Sequence, residues 1–341
     1  MKKAYITSRI FLFGAALSGM LFSCSGDPLA ISAKGIQVTI GYKNLDSLMV
    51  KTPASELQAA LLKWHSDVPE VIDYELGYCL SAGRVTDSGT VAHIVQFRSD
   101  AYIARLEQRI QTTFKDLPVR HTQIADGFRH LKAHFPNIKI PKNIVYMNSF
   151  FASSAFCTET DIAIGLERYL GAKTDVVKEL PEQEFYQWIK EGMEPAYLER
   201  DAVSAWIMTH LVPEKEQENT IEAIIRWGKI IYLTEAAFPA AEKHLIIRYS
   251  ELDYQWALKN ERAFWDHLVA QKLLFTTSEQ DQTNFLKDGP FTPGLPEKGP
   301  DRLGQFLGWR IIQSYMANNE LTLPELLQLP YEELLQEYEI N

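Results

Sequence analysis

The sequence predicts an α+β protein, mostly helical with a small antiparallel sheet, and three observations predict it. Long stretches before Pro136 and after Glu194 place apolar residues three and four apart, the spacing of helices that bury one side. Between them lie three short runs, Asn143 to Phe150 (NIVYMNSF), Ala152 to Cys157 and Asp161 to Leu166 (DIAIGL), rich in β-branched and aromatic residues and separated by turn formers. Helices, then a sheet, then a helical half is the order of an α+β chain.

Taken in order, Gly35 to Tyr42 (GIQVTIGY) alternates like a strand, and Ala54 to Cys79 carries helical spacing with Trp64 among its core candidates. Ser99-Asp100 is placed to cap a helix running to about Phe114, and a further helix near Ala125 to His134 stops before Pro136. The three central runs are expected to form an antiparallel meander. From Glu194 nearly everything reads helical, apart from Gly289 to Pro300 (GPFTPGLPEKGP), a loop with four Pro and three Gly in twelve residues.

The N-terminus reads as an address. Lys2, Lys3 and Arg9 supply a positive start and Ile10 to Phe22 an apolar core, ending in Leu21 to Cys24 (LFSC). Small residues before a Cys at that point are what a bacterial lipoprotein signal peptidase accepts. The expected organisation is a signal peptide over residues 1–23, a lipidated tether over 24–34 with Cys24 as the attachment residue, and one domain over 35–341. An uncleaved span is the competing reading, but Gly14, Ser18 and Gly19 interrupt a run already short for a bilayer. Acyl chains on Cys24 bury enough methylene to hold the body at a membrane.

Cleavage would remove three basic residues and no acidic one, leaving 31 basic against 44 acidic and a net charge of −13 on 318 residues. So acidic a body repels phosphates, which argues against nucleic acid as a partner. Cys79 and Cys157 remain; an oxidising envelope permits a bridge between them, and two free thiols are the simpler expectation.

No complete catalytic template is present. His130 and His134 (HLKAH) are a pair at zinc-ligand spacing, but no carboxylate adjoins them, and a solvated histidine face is expected there. The other histidines are solitary. Ser153-Ser154 has no recognisable base, no G-x-S-x-G elbow or phosphate loop occurs, and no acid dyad stands out among pairs such as Glu182 and Glu184 or Glu251 and Asp253.

Several stretches resemble the GldB family, the gliding-motility lipoproteins of Bacteroidetes. They are Trp227 to Pro239 (WGKIIYLTEAAFP), Arg248 to Trp265 (RYSELDYQWALKNERAFW), Gly289 to Phe291 (GPF) and Arg302 to Asn318 (RLGQFLGWRIIQSYMAN). Ile162 to Gly171 (IAIGLERYLG) is similar to the family's i-G-L-D-x-Y-L-G. Gly228, Lys229 and Tyr232 match one family element, Pro290 and Phe291 another, and Gly304, Gly308, Trp309, Tyr315 and Met316 the last. The family in turn resembles zinc peptidases of the zincin type, in which an H-E-x-x-H helix follows a small sheet and the next helix adds a third ligand. That resemblance implies a zincin-like, degenerate scaffold. It lays DAVSAWIMTH (201–210) on the ligand helix, with Trp206 for the first histidine, Ile207 for the general base, Trp227 for the third ligand, and His210 alone retained.

The same residues have a packing account. Val203, Trp206, Ile207 and His210 form one helical stripe, Gly228 marks a close helix approach, and Gly304 and Gly308, one turn apart, admit a neighbouring backbone or ring. The resemblance implies a non-catalytic envelope lipoprotein without cofactor, supporting gliding motility or type IX secretion through protein contacts. The tether Ser25 to Pro28 lacks a dense acidic run, so the periplasmic face of the outer membrane is the expected site. Two other classes compete. One is a zinc metallopeptidase built on His130 and His134; the other is an envelope protein with a small-molecule cleft walled by Lys229 and Tyr232.

Overall fold

Four strands make one mixed sheet in the order β1 (Gly41–Asn44), β2 (Asn143–Met147), β4 (Asp161–Gly165), β3 (Ala155–Cys157). β1 and β4 both run parallel to β2, with Tyr42 opposite Ile144 and Ile144 opposite Ile162; only β3 is antiparallel, pairing with β4 at the edge. The expected antiparallel meander is therefore corrected. β3 turns back into β4 as a hairpin would, but β4 inserts between β3 and β2. The strand expected over Gly35 to Tyr42 begins only at Gly41 and joins β2 as a parallel neighbour. The physical reason lies in burial: every residue of β2 and β4 is buried, as central parallel strands covered on both faces require. This computed structural model describes residues 28–295, 299–336 and 338. The signal peptide and Cys24 lie outside the described residues, as do positions 296–298 of the Pro/Gly loop.

Alternate side chains of β2 and β4 serve different cores. Ile144, Tyr146, Ile162 and Ile164 face the larger core, with Phe128, Trp206, Ile231 and Trp309; Val145, Met147 and Ala163 face a smaller one, with Leu57, Leu61, Val71 and Leu76. The sheet is thus the middle of three layers. The smaller outer layer comes from the chain between β1 and β2, where the expected run Ala54 to Cys79 is divided into helices Ala54–His65 and Pro69–Asp73 and a π-helical turn, Tyr74–Cys79. Pro69 is the reason for the break: its missing N–H starts a new helix instead of continuing the old one. Trp64 packs against this smaller core. Asp100 caps the helix Ala101–Thr113 as expected, accepting from the Tyr102 and Ile103 amides. The next helix, Leu117–His134, starts earlier than its apolar spacing suggested.

In the larger layer the helix Thr220–Ala237 is buried almost all round, which places it at the centre of its neighbours. Its start is a reciprocal capping box between Asn219 and Glu222. It crosses the helix Leu303–Asn318 at Gly228 and Gly308, backbone against backbone. A Cβ on Gly308 would fall on the Ile224 carbonyl oxygen, with the carbonyl carbon at 2.8 Å and the Gly228 nitrogen at 3.0 Å. One on Gly228 would fall on the Gly308 carbonyl, 2.9 Å from its Cα. Gly304 likewise faces backbone, 2.9 Å from the Phe285 carbonyl oxygen.

Candidate functional site

The helix carrying DAVSAWIMTH, Leu198–His210, packs against β3 and β4 and is an organising element of the larger core. Trp206 is fully buried; its indole N–H donates to the Lys139 carbonyl at 2.9 Å and its ring meets Phe128 edge to face. Ile207 is core. The His210 ring lies 3.8 Å from that of Trp206, and its Nε2 donates to the Thr158 carbonyl at 3.1 Å. Burial pulls the imidazole below its ordinary pKa, favouring the neutral donor. Trp206 and His210 thus pin the loop before β2 and the turn between β3 and β4. Trp227, on the next helix, is partly buried with the Arg226 guanidinium over its ring. Asp201, at the helix start, accepts from the Tyr169 hydroxyl and the Arg200 guanidinium.

The other family positions also have packing roles. Lys229 is buried and donates to the carbonyls of Leu329 (2.7 Å) and Leu327 (3.4 Å), anchoring the helix Leu323–Gln328. Trp309 is fully buried and donates to Glu235 at 2.7 Å. Tyr315 and Met316 are core, and Phe291 is half-buried beside the exposed Pro290. Tyr232 lines a polar cleft of about 490 Å³ with Glu235, Lys243 and Arg310, and Lys229 does not. His130 Nδ1 donates to the Asp126 carbonyl, whereas His134 is buried. That corrects the expected solvated histidine face: the N-terminal segment around Leu29 covers it. Cys79 and Cys157 are free thiols, the latter pushed up to about 12 by burial. Among the described residues no group of three or more His, Cys, Asp and Glu converges as a metal's ligands do.

The concentrated chemistry lies elsewhere, at the carboxyl ends of the parallel strands, where such sheets place their ligand sites. β1 ends at Asn44, whose side chain caps the helix Leu45–Lys51 and sets Asp46 just beyond the strand. β2 runs out into Asn148 and Ser149, and β4 into a short 3₁₀ helix, Leu166–Tyr169, bearing Glu167. The π-helical turn brings Glu75, and the inward stripe of the helix Ala101–Thr113 brings Glu107. All four acids are buried, Glu167 completely. One oxygen of each carboxyl lacks any hydrogen-bond partner among the described residues.

Asp46, Glu75, Glu107 and Asn148 line a small cavity of about 20 Å³, room for one water. Asn148 donates to Glu107 at 2.8 Å; Ser149 Oγ and the Phe151 amide lie 2.5 and 2.9 Å from one oxygen of Glu167. The turn they hold is strained: Phe150 and Phe151 are consecutive left-handed residues at φ +54° and +64°. Burial, reinforced by mutual repulsion, raises Asp46 and Glu75 well above the usual carboxylate range, burial raises Glu107, and burial pushes Glu167 up to about 7. The arrangement is suited to holding protons.

Spacing alone did not bring these four acids together, because they come from four separate elements. A signal was present for one of them: Glu167 stands at the acidic position of the family's i-G-L-D-x-Y-L-G.

Fold and site together define a helix-dominated α+β protein whose family glycines and aromatics serve packing and whose sheet ends in buried carboxyls. A family model described as gliding motility protein GldB matches residues 27–339, and the chain belongs to that family. Searches of curated proteins and of solved structures each gave no match. The family model bears a lipoprotein designation, and no helix of the described residues is long and apolar enough to cross a membrane.

Proposed function

We infer that this chain is a lipid-anchored envelope protein that supports gliding motility, or the type IX secretion machinery linked to it, by contact with other envelope proteins and without catalysis. The observation that carries this reading is the family match over residues 27–339. The histidine reading agrees: His210 is spent on a backbone carbonyl and a tryptophan face, and His130 on a carbonyl of its own helix. Attachment through Cys24 on the periplasmic face of the outer membrane belongs to the same proposal. The metal-free zincin scaffold that the resemblance implies belongs to it too.

Deletion of the gene tests it, with complementation by the wild type and by Cys24→Ser. Loss of spreading or secretion, restored only by the lipidatable form and accompanied by in-cell crosslinks to envelope proteins, is expected. Intact motility and secretion after deletion, or no crosslinked partner, would sink the reading. A second reading, binding of a small polar molecule, is favoured by the cleft of about 490 Å³ that Tyr232, Lys243 and Arg310 line. Ligand-induced stabilisation lost in Tyr232→Ala would separate the two.

A further inference from the structure

The four carboxyls at the strand ends pose an accounting problem that the geometry itself answers. Four buried carboxylates that repel one another, three of them lining a water-sized cavity, cannot all be charged, since burying an uncompensated charge costs far more than a fold can supply. Something neutral or neutralising must be present, and protons and a metal ion are the two choices. No three acidic, histidine or cysteine side chains among the described residues converge on one point as a metal requires.

Hydrogen counting favours protons. The Ser149 hydroxyl has one hydrogen, yet Oγ lies 2.9 Å from the Ser153 carbonyl and 2.5 Å from Glu167, both acceptors if Glu167 is ionised. The Ser153 amide already donates to Oγ at 3.0 Å. Every contact is satisfied only when Glu167 carries a proton and gives it to Ser149, which then donates onward to Ser153. Asp46 and Glu107 are within hydrogen-bond reach of each other and, as two acceptors, need one proton between them.

We propose that Asp46, Glu75, Glu107 and Glu167 are a proton-held latch: protonated, they keep the carboxyl ends of β1, β2 and β4 together and the Ser149–Ser153 turn closed, and loss of the protons opens that turn. The cations near the cluster leave its carboxyls raised. Arg98, from the helix Thr90–Arg98, lines the same cavity and turns its Nη1 to the carbonyls of Met49, Val50 and Thr52. Lys51 acts on Glu107 from the end of its helix, and Cys79 and Tyr74 approach from the π-helical turn. Arg168 acts on Glu167 by charge, but burial lowers its own guanidinium and Glu167 stays raised to about 7. Once charged, the acids repel across a low-dielectric gap, and ionised Glu167 competes with Ser153 for the single hydroxyl hydrogen. The strained turn, with half-exposed Phe150 against Phe97 and Tyr102, is the segment that yields.

The test uses the full chain in detergent, by infrared spectroscopy and by urea unfolding at a series of pH values. At neutral pH a protonated-carboxyl stretch is expected, reduced in Glu167→Gln and in Asp46→Asn. The wild-type folding equilibrium should weaken about tenfold per pH unit for each proton lost, with the slope lower by up to one proton in either variant. Hydrogen exchange of the 148–154 amides should rise with pH more steeply than intrinsic exchange in the wild type and less so in the variants. If Glu167→Gln fails to fold, Asp46→Asn carries the same comparison. The proposal is overturned if no protonated carboxyl is seen, if the variants keep the wild-type slope, or if one divalent ion per chain survives metal-free dialysis and a chelator destabilises the protein.

Discussion

Gly308→Ala adds a single methyl group where the helices Thr220–Ala237 and Leu303–Asn318 cross backbone against backbone. The new carbon would sit on the Ile224 carbonyl oxygen, 2.8 Å from its carbon and 3.0 Å from the Gly228 nitrogen. These are backbone atoms within the most buried helix, so no rotamer change relieves the overlap; the helices Thr220–Ala237 and Leu303–Asn318 must separate. Overpacking of this kind costs about 1–3 kcal/mol and more where backbone must shift. Separation also loosens Trp309, Phe306 and Ile312 against the larger core, at about 25 cal/mol per Å² of apolar surface exposed. Against this, alanine regains about 1 kcal/mol of helix propensity. The net expectation is a loss of about 3 kcal/mol, measured as a lower urea midpoint with an unchanged slope.

Gly77→Ala is the internal control, because a Cβ there meets nothing within 4 Å. It should leave stability unchanged or raise it slightly. If Gly308→Ala unfolds within about 1 kcal/mol of wild type, the direct backbone crossing is not what the glycine is for.

Other substitutions probe other joints. Trp206→Phe leaves the Lys139 carbonyl without its indole donor and should lower stability by about 2 kcal/mol in the same assay. Lys229→Met should release the helix Leu323–Gln328, read as faster amide exchange over that segment while the 220–237 amides stay protected. Burial holds the Lys229 amine down at about 8 against an ordinary 10.5, so between those values the unfolded chain binds more protons and wild-type stability should rise with pH, a rise absent from Lys229→Met. Replacing residues 1–24 by a cleavable secretory leader that has no lipid-accepting Cys should move the protein from the membrane fraction to the soluble fraction with its fold intact by circular dichroism.

Much of the helical architecture was legible because its causes are local. Asp100 as a cap, the stripe Val203–Trp206–Ile207–His210, and Gly228 and Gly308 as separate points of close approach are each written within a few turns of their own helix, although that the two glycines meet each other is not. Burial of His134 was not legible, since the chain that covers it comes from around Leu29.

The sequence by itself therefore determined that the chain is mostly helical, that Asp100 caps a helix, and which faces seek a core, because propensity and apolar period act over neighbouring residues; the break at Pro69 and the early start at Leu117 were not read from it. Only the tertiary structure decided that β4 lies parallel beside β2 and that Asp46, Glu75, Glu107 and Glu167 meet. Strand order and the meeting of distant acids depend on how whole layers close over one another, and no local interaction between residues so far apart in the chain records that outcome.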